Sequence, residues 1–139
     1  MIDATPFLLV GVLIVAIVMI AYITLARKEN PYLNRQKYQA RWLQIENSIN
    51  RTNAASYHMA ILNADKLVDQ ALKERRFKGE TMGDRMKSAN KQWRDANQIW
   101  SAHKVRNQLA HEADASIDYQ SAVRALSAYK QALKDLGAI

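Results

Sequence analysis

The sequence predicts an all-α protein: an N-terminal transmembrane helix followed by an antiparallel bundle of four to five helices. Three observations carry that expectation. Residues 4–26 contain no charged side chain. Beyond them, apolar residues recur at spacings of three and four, and no stretch alternates apolar with polar residues as a strand would. Gly and Pro are scarce, at 4 and 2 of 139 residues, so there is little punctuation to break helices. Cysteine is absent, which excludes disulfides, thiolate metal sites and cysteine nucleophiles and leaves packing alone to hold the fold.

The first element is ATPFLLVGVLIVAIVMIAYITLA, 23 uncharged residues from Ala4 to Ala26. At a rise of about 1.5 Å per residue it spans a hydrocarbon core of about 30 Å. A cleaved signal peptide is the competing reading. It wants a positive leading region and a shorter apolar core, whereas this chain opens with Asp3 and its basic residues come after the span. Arg27, Lys28, Arg35, Lys37 and Arg41 follow closely and no Lys or Arg precedes, so the positive-inside rule sets a single-pass orientation. The N-terminus is expected outside and the C-terminal domain in the cytoplasm. Tyr22 falls where an aromatic side chain can sit among lipid headgroups.

Residues 1–28 thus form the anchor, and Pro31 within RKENPY interrupts any continuous helix. The juxtamembrane segment 29–52 places Leu33, Tyr38, Trp42, Ile45 and Ile49 on one helical face. That amphipathic helix is suited either to the lipid surface or to packing against the domain, and the Trp42, Ile45 and Ile49 stripe favours packing. NRTN at 50–53 reads as a break with Asn53 as a cap, opening the bundle at 53–139. Met59, Ile61, Leu62, Ala64, Leu67, Val68, Ala71 and Leu72 make the next helix the strongest signal in the soluble part.

FKGETMGDRM then supplies Gly79 after the helix end and a capping-box pattern from Thr81 to Asp84. A short helix should run through Met82, Met86 and Ala89 to about Trp93. A further helix holds Ile99, Trp100, Val105 and Leu109, and the last holds Ile117, Val123, Leu126, Tyr129, Leu133 and Leu136. Leu62, Leu67, Leu109, Leu126 and Leu133 fall on the apolar faces and are expected to be buried.

The formal charge is +7; Asp3 is the only charged residue before Arg27, and the soluble part beyond carries 20 basic against 12 acidic side chains, a surplus of 8. Such a surplus suits RNA or an anionic lipid surface as partner, and it equally serves as a solvated, soluble exterior. From Lys73 to Arg106 there are ten basic and four acidic residues, and Lys73, Arg76, Lys91 and Lys104 are the candidate nucleic-acid contacts.

Chemistry concentrates in AHKVRNQLAHE, residues 102–112. His103, Asn107 and His111 stand four apart and form a polar row beside Arg106. The two histidines are about 12 Å apart along the axis, and no carboxylate pattern completes a metal site, so no metal or cofactor is expected. Glu46, Asp65 and Glu112 have no pairing that sequence establishes. Neither a Gly-rich phosphate loop nor a Ser–His–Asp order is present. Arg106 and His111 do fit phosphodiester chemistry, because guanidinium binds phosphate bidentately and imidazole moves protons near neutral pH. RNA brings its own 2′-OH nucleophile, so an acid–base group and a cation suffice without a metal. The competing structural reading is that Arg106 pairs with an acid and His111 caps a helix C-terminus.

KVRNQLAHE, followed by Ile117–Asp118 and the closing SAVRALSAYKQALKDL, resembles the HEPN superfamily of small helical domains, whose hallmark is Arg, a polar residue, a few more and then His. The resemblance covers about residues 53–136. With AILNADKLVDQAL and KGETMGDRM ahead of the motif, the chain also looks like membrane-anchored HEPN-like proteins of bacteria with small genomes. It implies an all-α domain that commonly forms a homodimer and, in catalytic members, is a ribonuclease that cleaves RNA without metal. By that resemblance Arg106 contacts the scissile phosphate, Asn107 orients it or the helix end, and His111 is the acid–base residue, in a cleft shared by two protomers. Many HEPN domains bind and do not cut, so a membrane-tethered scaffold for RNA, a nucleotide or a cytoplasmic protein partner stands beside the enzyme reading.

Overall fold

The computed structural model describes residues 4–26 and 33–139, and among them every regular element is helical. The chain divides into two compact units, Met1–Asn30 and Pro31–Ile139. The first contributes helix α1, Thr5–Ala26. Its large apolar side chains, among them Phe7, Leu13, Ile17, Ile20 and Leu25, are exposed. It is long and apolar enough to cross a membrane, a property shared by anchors and signal sequences. The Thr24 hydroxyl donates to the carbonyl of Ile20 at 2.9 Å, so this polar group is satisfied within the helix. Asp3, Arg27, Lys28 and Pro31, which carry the orientation and the helix break in the sequence, lie outside the described residues.

The second unit contains α2 (Arg35–Asn47), α3 (Ala54–Glu74), α4 (Met82–Ser88), a 3-10 turn at Asn90–Gln92, α5 (Ala96–His111) and α6 (Tyr119–Asp135). Helix α2, placed by sequence in a separate juxtamembrane segment, belongs to this unit. It buries Tyr38, Trp42 and Ile45 and is pinned by Arg41 to Gln70 of α3 at 2.6 Å and by Lys130 of α6 to Glu46 at 2.7 Å. Several starts are fixed by the residues expected to fix them. Asn53 accepts from the Ala55 N–H, and Thr81 and Asp84 form a reciprocal capping box.

One helix end departs from expectation. Gly79 does not terminate α3; Arg76 does, in left-handed backbone at φ 61°. The Phe77 N–H reaches the Leu72 carbonyl and the Arg76 N–H that of Lys73, a Schellman closure made without glycine at a cost of about 1–2 kcal/mol. Gly79, at φ 156°, is needed for space: a Cβ there would stand 2.6 Å from the Arg85 nitrogen and from the Asp84 Cβ.

The long helices alternate in direction along the chain, yet the bundle is not antiparallel throughout. Asp65 meets Tyr129, and Arg75 reaches the Leu136 carbonyl, so α3 and α6 run the same way. These two share the most extensive interface, with α2 and α5 flanking them. Both helices bury small residues, Ala60, Ala64 and Ala71 of α3 and Ala122, Ala125, Ala128 and Ala132 of α6, and small residues allow close approach of neighbouring helices. Of the five leucines expected inside, Leu67, Leu126 and Leu133 are buried. Leu62 and Leu109 are half-buried because they face a cleft, and Met59 and Val123 are exposed.

Candidate functional site

The cleft is an open space of about 1000 Å³ between α3, α4 and α5. Helix α3 supplies Asp65, Asp69 and Lys73 on successive turns of one edge, with Lys66 beside the first, and α5 supplies His103, Arg106 and Asn107. Three cations and a histidine thus face two carboxylates.

Its centre is Asp65, 4% exposed. A carboxylate this deep persists only if its charge and lone pairs are matched. His103 Nδ1 lies 2.8 Å from Oδ1, the Tyr129 hydroxyl donates to the same oxygen at 2.9 Å, and Arg106 Nε stands 3.1 Å from Oδ2. The last contact is an ion pair held by proximity, since Nε makes no well-aligned hydrogen bond. Burial pushes the Tyr129 hydroxyl pKa up, and the Asp65 carboxylate beside it pushes the same way, so the phenol remains a donor across the physiological range. Three helices are tied together at one side chain.

A second pair closes the cleft toward α4. Arg85, 7% exposed, forks onto Asp69 at 2.7 and 3.0 Å and also donates to the Gly79 carbonyl at 2.8 Å. Lys73 reaches the same carboxylate at 2.9 Å. Burial pushes the Asp69 carboxyl up, but the hydrogen bonds and charges of Arg85 and Lys73 outweigh it and hold the group below the usual carboxylate range. A depressed folded value means that Asp69 contributes stability above its unfolded value of about 4 and loses it as pH falls through the lower folded value. The urea midpoint should therefore drop below about pH 4 in the wild-type chain and drop less in Asp69→Asn, measured by circular dichroism; equal slopes would contradict this origin.

Of the residues that sequence nominated, Arg106 and Asn107 are brought together: Arg106 Nη1 donates to Asn107 Oδ1 at 2.9 Å, and both line the cleft. His111 is exposed in the last turn of α5 and does not line it. The polar row of His103, Asn107 and His111 is thus divided, with the first two facing the cleft. His111 lies five positions after Arg106, which is about 140° around a straight helix, while Arg106 and His103 are only about 60° apart. Among the proposed nucleic-acid contacts Lys73 lines the cleft; Arg76, Lys91 and Lys104 are exposed elsewhere.

Sequence reasoning missed Asp65, Asp69, Arg85 and Tyr129 as a network, and it left His103 without a role. One signal was available. Asp65 interrupts the buried stripe of Ile61, Val68 and Leu72, and a carboxylate in such a stripe must find cationic or donor partners. Among the described residues, no three His, Asp or Glu side chains converge as metal ligands would. A scan against protein-family models and searches of curated proteins and of solved structures found no match to this chain.

Proposed function

We propose that the protein is a membrane-anchored, HEPN-like helical module that holds RNA in the cleft between α3, α4 and α5, with α1 as an uncleaved single-pass anchor and the bundle in the cytoplasm. The observation that carries this reading is Arg106. Its Nε is committed to Asp65 and its Nη1 to Asn107, while Nη2 has no partner among the described residues and the side chain stays one-third exposed in the cleft. A guanidinium held by a buried carboxylate is preorganised to present its remaining donors to a phosphate. Lys66 and Lys73 add positive charge along the same wall.

With the full chain in lipid nanodiscs and a fluorescent RNA, Arg106→Ala should weaken binding about 10- to 100-fold, the value of a charge-assisted hydrogen bond of about 1.5–3 kcal/mol. Lys73→Ala should weaken it less and reduce the salt slope by about one. Binding that ignores both substitutions and salt would sink the reading.

The topology has its own expected result. In intact cells, protease added outside should leave the bundle uncut, and the mature chain should keep its first 26 residues. Digestion of the bundle from the outer face would overturn the orientation, and a soluble chain lacking α1 would replace the anchor with a signal sequence.

A second reading, cleavage at a cleft shared by two protomers, is favoured by His111. Its side chain is exposed and makes no hydrogen bond or ion pair among the described residues, so a partner's RNA-bearing surface can reach it. In that reading Arg106 holds the scissile phosphate, Asn107 orients it and His111 transfers the proton.

A further inference from the structure

The imidazole that lines the cleft is that of His103, which the Arg106–His111 motif leaves without a role. His103 is held by its Nδ1, 2.8 Å from Asp65 Oδ1, and its side chain is 13% exposed. Asp65 in turn is fixed by Tyr129 and Arg106. A carboxylate acceptor at Nδ1 selects the tautomer with the proton on that nitrogen and leaves the Nε2 lone pair free. Nε2 has no hydrogen-bond partner among the described residues and is not among the fully buried atoms, and His103 lines the open cleft. The Trp100 ring meets the imidazole edge to face and limits its rotation. Arg106 follows three residues later on the same side of α5, about 4.5 Å along the axis. One protomer therefore holds an oriented base and a preorganised cation in one space.

We propose that the Asp65–His103 dyad, with Arg106, is a metal-independent RNA-cleaving site complete within one protomer, His103 Nε2 acting as the general base. The inference rests on the reading that RNA occupies the cleft. Nε2 takes the proton from a 2′-OH, and the 2′-oxygen forms a bond to the adjacent phosphorus. The bond from phosphorus to the 5′-oxygen breaks, and that oxygen takes a proton from water. The products are a 2′,3′-cyclic phosphate and a 5′-hydroxyl, and the imidazolium afterwards returns its proton to solvent. Arg106 binds the non-bridging oxygens and stabilises the extra negative charge of the phosphorane. Asp65 is a positioning residue: it sets the tautomer and offsets the positive charge that His103 gains.

The test uses the full chain in nanodiscs with EDTA and an end-labelled single-stranded RNA, with a DNA strand of the same sequence beside it. Binding, cleavage and product ends are read separately. RNA should be cut to 2′,3′-cyclic ends and DNA left intact. His103→Asn keeps an N–H donor toward Asp65 but has no base; it should lower the cleavage rate about 100- to 10,000-fold while the dissociation constant changes less than about threefold. Should that variant melt below the wild type, His103→Gln replaces it in the same comparison. RNA that binds at Arg106 without being cut overturns this inference and leaves the binding reading in place, whereas RNA that does not bind overturns both. Cleavage retained in the folded His103 variant, products with 5′-phosphate ends, or activity lost only in His111→Ala would each overturn the dyad.

Discussion

Asp65→Ala should destabilise the bundle by about 3–5 kcal/mol, the usual cost of removing one member of a buried charged network. The loss is distributed over three partners. Tyr129 is fully buried, so its hydroxyl is left without an acceptor, at about 1–3 kcal/mol. His103 loses the acceptor at Nδ1, and Arg106 loses its counter-charge but can swing into the cleft, since a third of its side chain is already exposed. Tyr129 therefore accounts for much of the penalty, which a double-mutant cycle isolates. Tyr129→Phe alone should cost about 1 kcal/mol or more, and Tyr129→Phe combined with Asp65→Ala should cost less than the sum of the two, by about 1–2 kcal/mol. Urea denaturation followed by circular dichroism measures all four corners. An additive result would mean that Tyr129 and Asp65 are not coupled, and a cost for Asp65→Ala below about 1 kcal/mol would mean that water replaces the network.

That network also shows where sequence reading stops. Helix existence was legible because apolar spacing reports directly on which face each helix buries; Tyr38, Trp42 and Ile45, or Leu126, Tyr129 and Leu133, follow from period alone. Caps were legible where the side chain and its target are neighbours in sequence, as at Asn53 and at Thr81 with Asp84. The end of α3 was not, because a left-handed Arg76 does what glycine usually does, and nothing local in the sequence marks it. The parallel pairing of α3 and α6 shows in contacts between residues more than 60 positions apart, Asp65 with Tyr129 and Arg75 with Leu136, which periodicity within either helix does not report. The site was half legible. Arg106 and Asn107 stood out as a motif, but their surroundings come from Asp65, 38 residues before His103 and 64 before Tyr129, and such pairings are properties of packing. His111 stood in the motif by spacing, whereas five residues on one helix turn it away from the face that Arg106 uses.

Leu133→Ala should cost about 2–5 kcal/mol, whereas Val123→Ala, on the same helix and equally apolar in sequence, should stay within about 0.5 kcal/mol. Leu133 has no exposed surface, and it sits where the α6 face meets the bundle core alongside Tyr129 and Ala132. Truncating it removes buried methyl groups and leaves a space that rigid helices close only in part, so the transfer and cavity terms add. Val123 is 45% exposed and loses little of either. Leu62 and Leu109 should fall between these two, because each has one side against the open cleft and water can fill what truncation vacates. A unit of this size has about 5–15 kcal/mol of total stability, so the Leu133 substitution alone removes a large share and should visibly lower the urea midpoint. Equal costs at Leu133 and Val123 would mean that the face of α6 buried against the core is not the one described. A large cost at Val123 alone would mean that a second chain covers the outer face.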